Sequence, residues 1–210
     1  MKKTLIPKSK PVEPMMIPAP MPPQPLQMQL DESLVRNGLF YLDKGFDNDS
    51  CTPICKGITA LNMLPEEKRP ESIKIIINSP GGAVAACQQL LHTMAASDIT
   101  VETHAVGLAA SCGVLTFMAG HKGHRYAYEG AMIMSHVYSA GMMGKEGELV
   151  ARRKANDQLS DWMVEHYKRH TKKSKAYIRK HLLHPIDEWM SPEEAVEHGI
   201  ADHVVKAKVK

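Results

Sequence analysis

Two patterns of apolar and polar positions recur along the chain, and together they predict an α/β fold. Residues 73–78, with the sequence IKIIIN, form a nearly continuous β-branched run, which is typical of a strand covered on both faces. Residues 83–96 then carry apolar side chains at helical spacing, and a second extended apolar run covers residues 99–106. Strand, helix and strand in this order form a βαβ unit, whose crossover is expected to be right-handed.

The same periodicities predict the remaining elements and an α/β fold with repeated βαβ units and a largely parallel, buried sheet. Further strands are expected at residues 38–42, 125–127, 131–135 and 204–205, and further helices at residues 51–64, 111–119, 145–170, 178–183 and 192–199. Asp47–Ser50 is a candidate helix cap, and Ser191–Glu194 forms a capping box. A helix over residues 145–170 would be nearly 40 Å long at about 1.5 Å per residue. The pattern leaves open whether it projects toward a partner or lies along its own sheet.

The N-terminal segment differs from the rest in composition. Residues 1–30 are rich in proline and methionine and are predicted to form a flexible, non-helical arm, because proline lacks the N–H group that a helix needs. The arm is either a disordered tail or a segment that gates or docks something. A globular domain is expected over residues 31–205, and residues 206–210 form a short basic tail.

Composition narrows the class of protein. A chain of 210 residues with 43% hydrophobic content suits one soluble domain with a real core. The net charge of +3 is small and no basic stripe with interleaved aromatic residues is present, so no nucleic-acid binding is predicted. No apolar run is long enough to span a membrane.

Cysteine and histidine spacing adds no metal or disulfide site. The four cysteines match no standard zinc or disulfide pattern, which predicts reduced thiols in a cytoplasmic protein. They are Cys51, Cys55, Cys87 and Cys112. Two histidine pairs at i,i+3 spacing lack further ligands nearby, so no metal is expected.

Ser111 is the first candidate for chemistry. It lies in a stretch of small residues, GLAASCG at positions 107–113, between an extended run and a predicted helix. A serine at such a turn can project its hydroxyl beyond the sheet edge, and the adjacent helix N-terminus suits a developing oxyanion. A plain packing role in the turn is the alternative interpretation.

His136 and a glycine pair lie at other strand ends, where open α/β sheets place their chemistry. A serine nucleophile needs a base, which in turn needs an acceptor that holds its tautomer. His136 ends a strand that is expected to neighbour the serine's strand. Gly81 and Gly82 follow residues 73–78 without any phosphate-binding motif. The backbone N–H groups of Gly82 and Cys112 are therefore candidates for an oxyanion hole.

Several motifs together resemble one known family. They are INSPGG at 77–82, GLAAS at 107–111, AGHKGHR at 119–125, MIMSH at 132–136, DEWMSPEEA at 187–195 and GIAD at 199–202. In order and spacing they resemble ClpP, the proteolytic subunit of the Clp ATP-dependent serine protease. Serine 111 follows Gly82 by 29 positions and precedes His136 by 25, which are the intervals of that family.

The resemblance implies a set of roles for individual residues. Ser111 would be the nucleophile, His136 the general base, and Asp187 the third member of the triad. The backbone N–H groups of Gly82 and Cys112 would hold the oxyanion. Asp202 belongs to a different motif and is not assigned to the triad.

The resemblance also implies an assembly. The fold would be of the ClpP/crotonase type. The protein would form a homo-oligomer of two stacked heptameric rings. The long helix would be a projecting handle by which the two rings contact each other. An AAA+ unfoldase of the Clp type would feed polypeptide substrates into the enclosed chamber. No cofactor is expected in this chain, because ATP would be used by the unfoldase.

Other interpretations stay open at this stage. The chain departs from the family at Val137-Tyr138 and at Pro185-Ile186. The alternatives are a weakly active structural ring subunit, a phage capsid-maturation protease of the same fold, a crotonase-type acyl-CoA enzyme, and a Ser–Lys peptidase that uses Lys122.

Overall fold

The computed structural model describes residues 25–138 and 143–207, and in these residues seven strands form one sheet surrounded by helices. The strands are β1 Leu39–Leu42, β2 Ser72–Ser79, β3 Thr100–Ala110, β4 Arg125–Tyr128, β5 Met132–Ser135, β6 Glu188–Met190 and β7 His203–Val205. The helices are α1 Leu26–Arg36, α2 Asn48–Asn62, α3 Val84–Ala95, α4 Cys112–Met118, α5 Glu146–Thr171, α6 Lys175–His181 and α7 Pro192–Glu197. A single 3₁₀ turn at Glu66–Lys68 joins α2 to β2 within this part of the chain.

The sheet is largely parallel, as predicted. Its main path runs β1-β2-β3-β4-β7, and every neighbouring pair on this path is parallel. The long strand β3 pairs with β4 over residues 103–105 and with β5 over residues 108–110. Strand β6 pairs antiparallel with β5. The α/β fold class is confirmed.

The core is built on the β-branched run of β2. Ile73, Ile75 and Ile77 have no exposed surface, and each such side chain contributes about 1.5–3 kcal/mol by leaving water. Helices α2 and α4 pack against this sheet, and α3, the crossover helix of the predicted βαβ unit, packs against both of them. The predicted capping box at Ser191 and Glu194 is present. The candidate cap at residues 47–50 is also confirmed: Asp47 caps α2 and forms a capping box with Ser50, so the helix begins at Asn48, three residues earlier than predicted.

The N-terminal prediction is wrong for residues 26–30. Helix α1 begins at Leu26, directly after Pro25, and none of its residues is buried. The last proline of the segment is Pro25, and a proline that precedes a helix costs no helical hydrogen bond. The rest of the predicted arm, residues 1–24, lies outside the described residues, as do residues 208–210 of the basic tail.

The long helix α5 projects over its first half. It has 26 residues, and its buried side chains all fall within residues 163–171. The N-terminal half is mostly exposed and charged, so the structure favours the projecting alternative. Helix α6 begins at Lys175, three residues earlier than predicted, because the side chain of Ser174 accepts the backbone N–H of Tyr177 and caps it.

Among the described residues, no helix combines the length and the apolar content that crossing a membrane requires.

Candidate active site

Ser111 lies between the end of β3 and the start of α4, at the turn that its sequence context predicts. Its backbone has φ 55° and ψ −117°, a conformation that glycine dominates elsewhere because an L side chain is crowded there. The amide of Ser111 donates to the carbonyl oxygen of Met134 at 3.0 Å. This bond holds the serine against the strand that leads to the histidine.

His136 reaches the serine from the neighbouring strand. Ala110 pairs with Met134 in the β3–β5 ladder, so the residues that follow these two strands lie side by side. The Nε2 atom of His136 is 2.8 Å from the Oγ atom of Ser111. A neutral imidazole with its proton on Nδ1 would accept the serine proton at this distance.

Gly81 lies against Ser111 and Gly82 lies against Phe46, and neither position leaves room for a side chain. A Cβ atom on Gly81 would fall 2.7 Å from the Cβ of Ser111 and 3.0 Å from the Cys112 amide nitrogen. A Cβ atom on Gly82 would fall 2.6 Å from backbone atoms of Phe46. Both glycines also have positive φ, at 93° and 148°. The Ser-Pro-Gly-Gly turn is therefore a steric requirement of the site.

Gly82 and Cys112, whose backbone N–H groups are the predicted oxyanion donors, lie in contact with each other. The Phe46 N–H donates to Gly81 O at 2.8 Å, and Phe46 O accepts from the Ala83 N–H at 2.7 Å. The backbone N–H of Gly82, which lies between these two bonded residues, therefore points away from Phe46. On that side the Sγ atom of Cys112 donates to Gly82 O at 3.4 Å. The Cys112 N–H opens α4, where the first amides have no partner within the helix. This arrangement is compatible with a two-donor oxyanion hole.

Asp187 is not hydrogen-bonded to His136. No hydrogen bond or ion pair within residues 25–138 and 143–207 involves its exposed carboxylate. The β5–β6 ladder nevertheless pairs Ser135 with Glu188, and the same antiparallel register continued by one position sets His136 opposite Asp187. Directly opposed residues in such a ladder have Cβ atoms about 4.5–5.5 Å apart. The assignment of Asp187 to the triad stays a prediction.

Two other acidic residues of the family motifs, Glu188 and Asp202, have different partners. Glu188 accepts a hydrogen bond from Nε2 of His184 at 2.8 Å. Asp202 binds Arg125 through two bonds of 2.6 and 2.7 Å, and it also accepts from Lys122 at 2.5 Å. The structure therefore gives Lys122 a partner other than Ser111, and the Ser–Lys alternative finds no support in it.

The cysteines are buried, and no candidate metal site is found among the described residues. All four cysteines are free and buried, and burial raises the pKa of the Cys51 and Cys55 thiols. A hydrogen bond from Cys87 lowers the pKa of the Cys112 thiol. No cluster of histidine, cysteine or acidic side chains that could hold a metal ion is found in the described residues.

Two histidines of α5, the buried His166 and the half-buried His170, are expected to make the stability of the protein depend on pH. Burial lowers the pKa of His166 to about 4, and burial together with the nearby charge of His166 lowers that of His170 to about 3. The Nε2–H of neutral His166 donates to Leu115 O at 2.9 Å. Between an unfolded pKa of about 6.5 and these folded values, the unfolded chain binds more protons. Stability is therefore expected to fall as the pH drops below about 6.5.

For His166 alone the loss is on the order of 2 kcal/mol between pH 7.5 and pH 5. Denaturant midpoints measured at both pH values check this expectation. His166→Gln keeps a donor for Leu115 O and removes the titration, so its profile should be flatter. A wild-type midpoint that does not change over this range would contradict the assignment.

Sequence reasoning missed the backbone partners that hold the site together. Phe46 forms an isolated parallel bridge with Gly82, and Met134 O holds the Ser111 amide. Both contacts are made by main-chain atoms far apart along the chain, so no side-chain pattern marks them. The capping and strand patterns locate the elements, but not the bonds between their ends.

Comparison with known proteins agrees with this geometry. A model of the Clp protease family matches residues 27–208. The protein named "ATP-dependent Clp protease proteolytic subunit 2" in Corynebacterium diphtheriae is 33% identical over 176 residues, which cover 84% of this chain and 86% of that protein. A relative of the same name in Thermobifida fusca is 32% identical over 88% of each chain.

A further relative, the "ATP-dependent Clp protease proteolytic subunit" of Deinococcus radiodurans, is 35% identical over 72% of this chain and 74% of its own. The resemblance in the motifs is thereby confirmed over most of the sequence. From the family match, these relatives and the fold, we conclude that the chain belongs to the Clp protease family and is a serine peptidase of the ClpP type.

Proposed function

We propose that this protein cleaves unfolded polypeptides with Ser111 as nucleophile and His136 as general base. The observation that carries the proposal is the distance of 2.8 Å between Ser111 Oγ and His136 Nε2. This contact joins two elements that are separate in sequence, and it occurs just beyond the ends of the parallel strands β3 and β5.

The geometry supports a two-step acyl transfer. His136 Nε2 takes the hydroxyl proton as Ser111 Oγ bonds to the peptide carbonyl carbon, and the N–H groups of Gly82 and Cys112 stabilise the oxyanion. The tetrahedral intermediate collapses when His136 returns the proton to the amine leaving group. Water then loses a proton to His136 as it attacks the acyl-enzyme. His136 returns this proton to Ser111 Oγ when the bond from Oγ to the acyl carbon breaks, which releases the acid product and restores Ser111.

Asp187 is proposed to orient His136 by accepting the Nδ1–H. The register of β5 and β6 supports this role, because it brings Asp187 opposite His136 once the ladder is continued by one position. Glu188 is already bonded to His184 and Asp202 to Arg125.

The subunit is further proposed to act in an oligomer, two stacked heptameric rings served by an AAA+ unfoldase of the Clp type. The relatives are named proteolytic subunits of an ATP-dependent protease, which supports an assembly with a separate ATP-using partner. The exposed first half of α5 supplies a surface for such contacts. The mass of the native particle, measured alone and with a Clp-type ATPase, tests this part.

Asp187→Asn is expected to lower kcat for a fluorogenic peptide by about 10⁴-fold, because an amide favours the wrong imidazole tautomer. KM should change little, since the side chain does not bind the peptide. The matched control is Glu188→Gln, the same change at the next residue, where the partner is His184. If Glu188→Gln loses more activity than Asp187→Asn, the assignment of the third triad member is wrong.

A further inference from the structure

A buried chain of hydrogen bonds lies directly behind His136. The hydroxyl of Tyr167 is 2.5 Å from Ser135 Oγ, and Ser135 Oγ is 2.5 Å from the carbonyl oxygen of Leu182. All three residues have 0% exposed surface. Water therefore does not replace any of these bonds while the protein is folded.

The donors and acceptors in this series of hydrogen bonds follow from the number of hydroxyl protons available. Leu182 O only accepts, so the single hydroxyl proton of Ser135 goes to it. The phenol of Tyr167 must then donate to Ser135 Oγ. Burial raises the pKa of Tyr167 well above its usual range, so the phenol keeps this proton at any working pH.

The three residues belong to three elements that meet at the site. Ser135 is the last residue of β5 and precedes His136, while Tyr167 lies in the buried half of α5. Leu182 caps α6 and begins the irregular segment that leads to Asp187. That segment is fixed at its far end by the pairing of β6 with β5. The hydrogen bond from Ser135 to Leu182 O fixes the start of the same segment to β5 as well.

We propose that Ser135 and Tyr167 are positioning residues for the catalytic pair, which hold β5 and the segment before Asp187 in one register. The proposal rests on the proposed function of Ser111 and His136. Loss of either hydroxyl frees the segment at Leu182 or leaves the serine without its donor. A displacement of about 1 Å at reacting groups costs on the order of 100-fold in rate, so the effect should appear in kcat and not in KM.

The test uses Tyr167→Phe, which deletes one oxygen and keeps the ring, and Ser135→Ala. Each is assayed for kcat and KM with a fluorogenic peptide, for the rate of fluorophosphonate labelling at Ser111, and for the midpoint of thermal unfolding. The matched control is Thr103→Val. It also removes a fully buried hydroxyl that donates to a backbone carbonyl, that of Phe117 at 2.7 Å, but it lies away from His136.

Both variants are expected to lose at least about tenfold in kcat and in labelling rate at unchanged KM, while Thr103→Val loses only thermal stability. The double variant should lose no more kcat than Ser135→Ala, because the two hydroxyls act in one chain. Variants within twofold of the wild-type kcat would overturn the proposal and leave a structural role only. Should Ser135→Ala not fold, Tyr167→Phe decides, since it keeps the Ser135–Leu182 bond. A wild-type protein without labelling or hydrolysis would instead remove the proposed function itself.

Discussion

Ser111→Ala is expected to reduce peptide hydrolysis by about 10⁶-fold, the loss typical when the nucleophile of a triad is removed. The hydroxyl of Ser111 is the one that His136 Nε2 contacts, at 2.8 Å, and alanine supplies no atom that could form the acyl-enzyme. Fluorogenic peptide turnover and mass spectrometry after fluorophosphonate treatment measure the two consequences. Neither hydrolysis nor a labelled peptide around residue 111 should be detected.

The fold and the native mass should be unchanged in this variant, because alanine keeps the Cβ atom and the backbone bond to Met134 O. Ser97→Ala is a suitable control, since Ser97 is a turn serine between α3 and β3 whose hydroxyl donates to Ile99 O at 2.9 Å. It should keep wild-type turnover. Residual hydrolysis of Ser111→Ala near the wild-type rate would place the nucleophile elsewhere and end the mechanism proposed here.

Asp202→Ala is expected to lower the free energy of unfolding by about 3–5 kcal/mol, because it leaves a buried cation without its partner. The side chain of Arg125 is 1% exposed and that of Asp202 is 5% exposed. Burial alone would raise the pKa of Asp202, but hydrogen bonds from Arg125, Lys122 and the Gly123 amide hold it far below its usual range. Denaturant midpoints at neutral pH measure the loss.

An exposed pair on α5 is the matched control. Asp157 is 3.3 Å from Arg153, and both side chains are more than half exposed, so Asp157→Ala should cost at most about 0.5 kcal/mol. Adding Arg125→Met to Asp202→Ala removes the unpaired charge and should recover part of the loss. Equal midpoints for Asp202→Ala and Asp157→Ala would show that the buried pair contributes little.

Local patterns were sufficient for the elements that carry their own signal. The β-branched run of β2 predicts a doubly covered strand, and its isoleucines are fully buried. The cap residues Asp47 and Ser191 begin helices as predicted. In each case the physical cause acts within a few residues, through side-chain periodicity or a bond to a nearby amide.

Contacts between segments that are distant in sequence could not be predicted from local patterns. Arg125 and Asp202 are 77 positions apart and look like two ordinary charges in sequence. Strand β6 has three residues, too few for a periodic pattern, and it forms only because β5 offers an antiparallel edge. Helix α1 was missed although Leu26, Leu30 and Leu34 recur at helical spacing, because the prolines up to Pro25 set the prediction for the whole segment.

The candidate site could be predicted in part from local patterns and in part only from the family resemblance. Small residues at 107–113 predict a turn with an accessible serine, but they do not distinguish a nucleophile from a packing residue. The pairing of Ser111 with His136 was inferred from the resemblance and its intervals, and the structure brings the two side chains together. Asp187 was inferred in the same way, and its assignment rests on the register of β5 and β6, which sets it opposite His136.

The backbone angles of Ser111 bring folding stability and the proposed catalytic role into conflict at one position. Holding a residue with a side chain at φ 55° and ψ −117° costs on the order of 1–3 kcal/mol, a sizeable share of the roughly 5–15 kcal/mol by which proteins of this kind are folded. Glycine at this position would relieve most of that cost and would also delete the hydroxyl. Selection for thermal tolerance alone would therefore favour glycine, and under the proposed mechanism the need for the hydroxyl is what would keep a serine there.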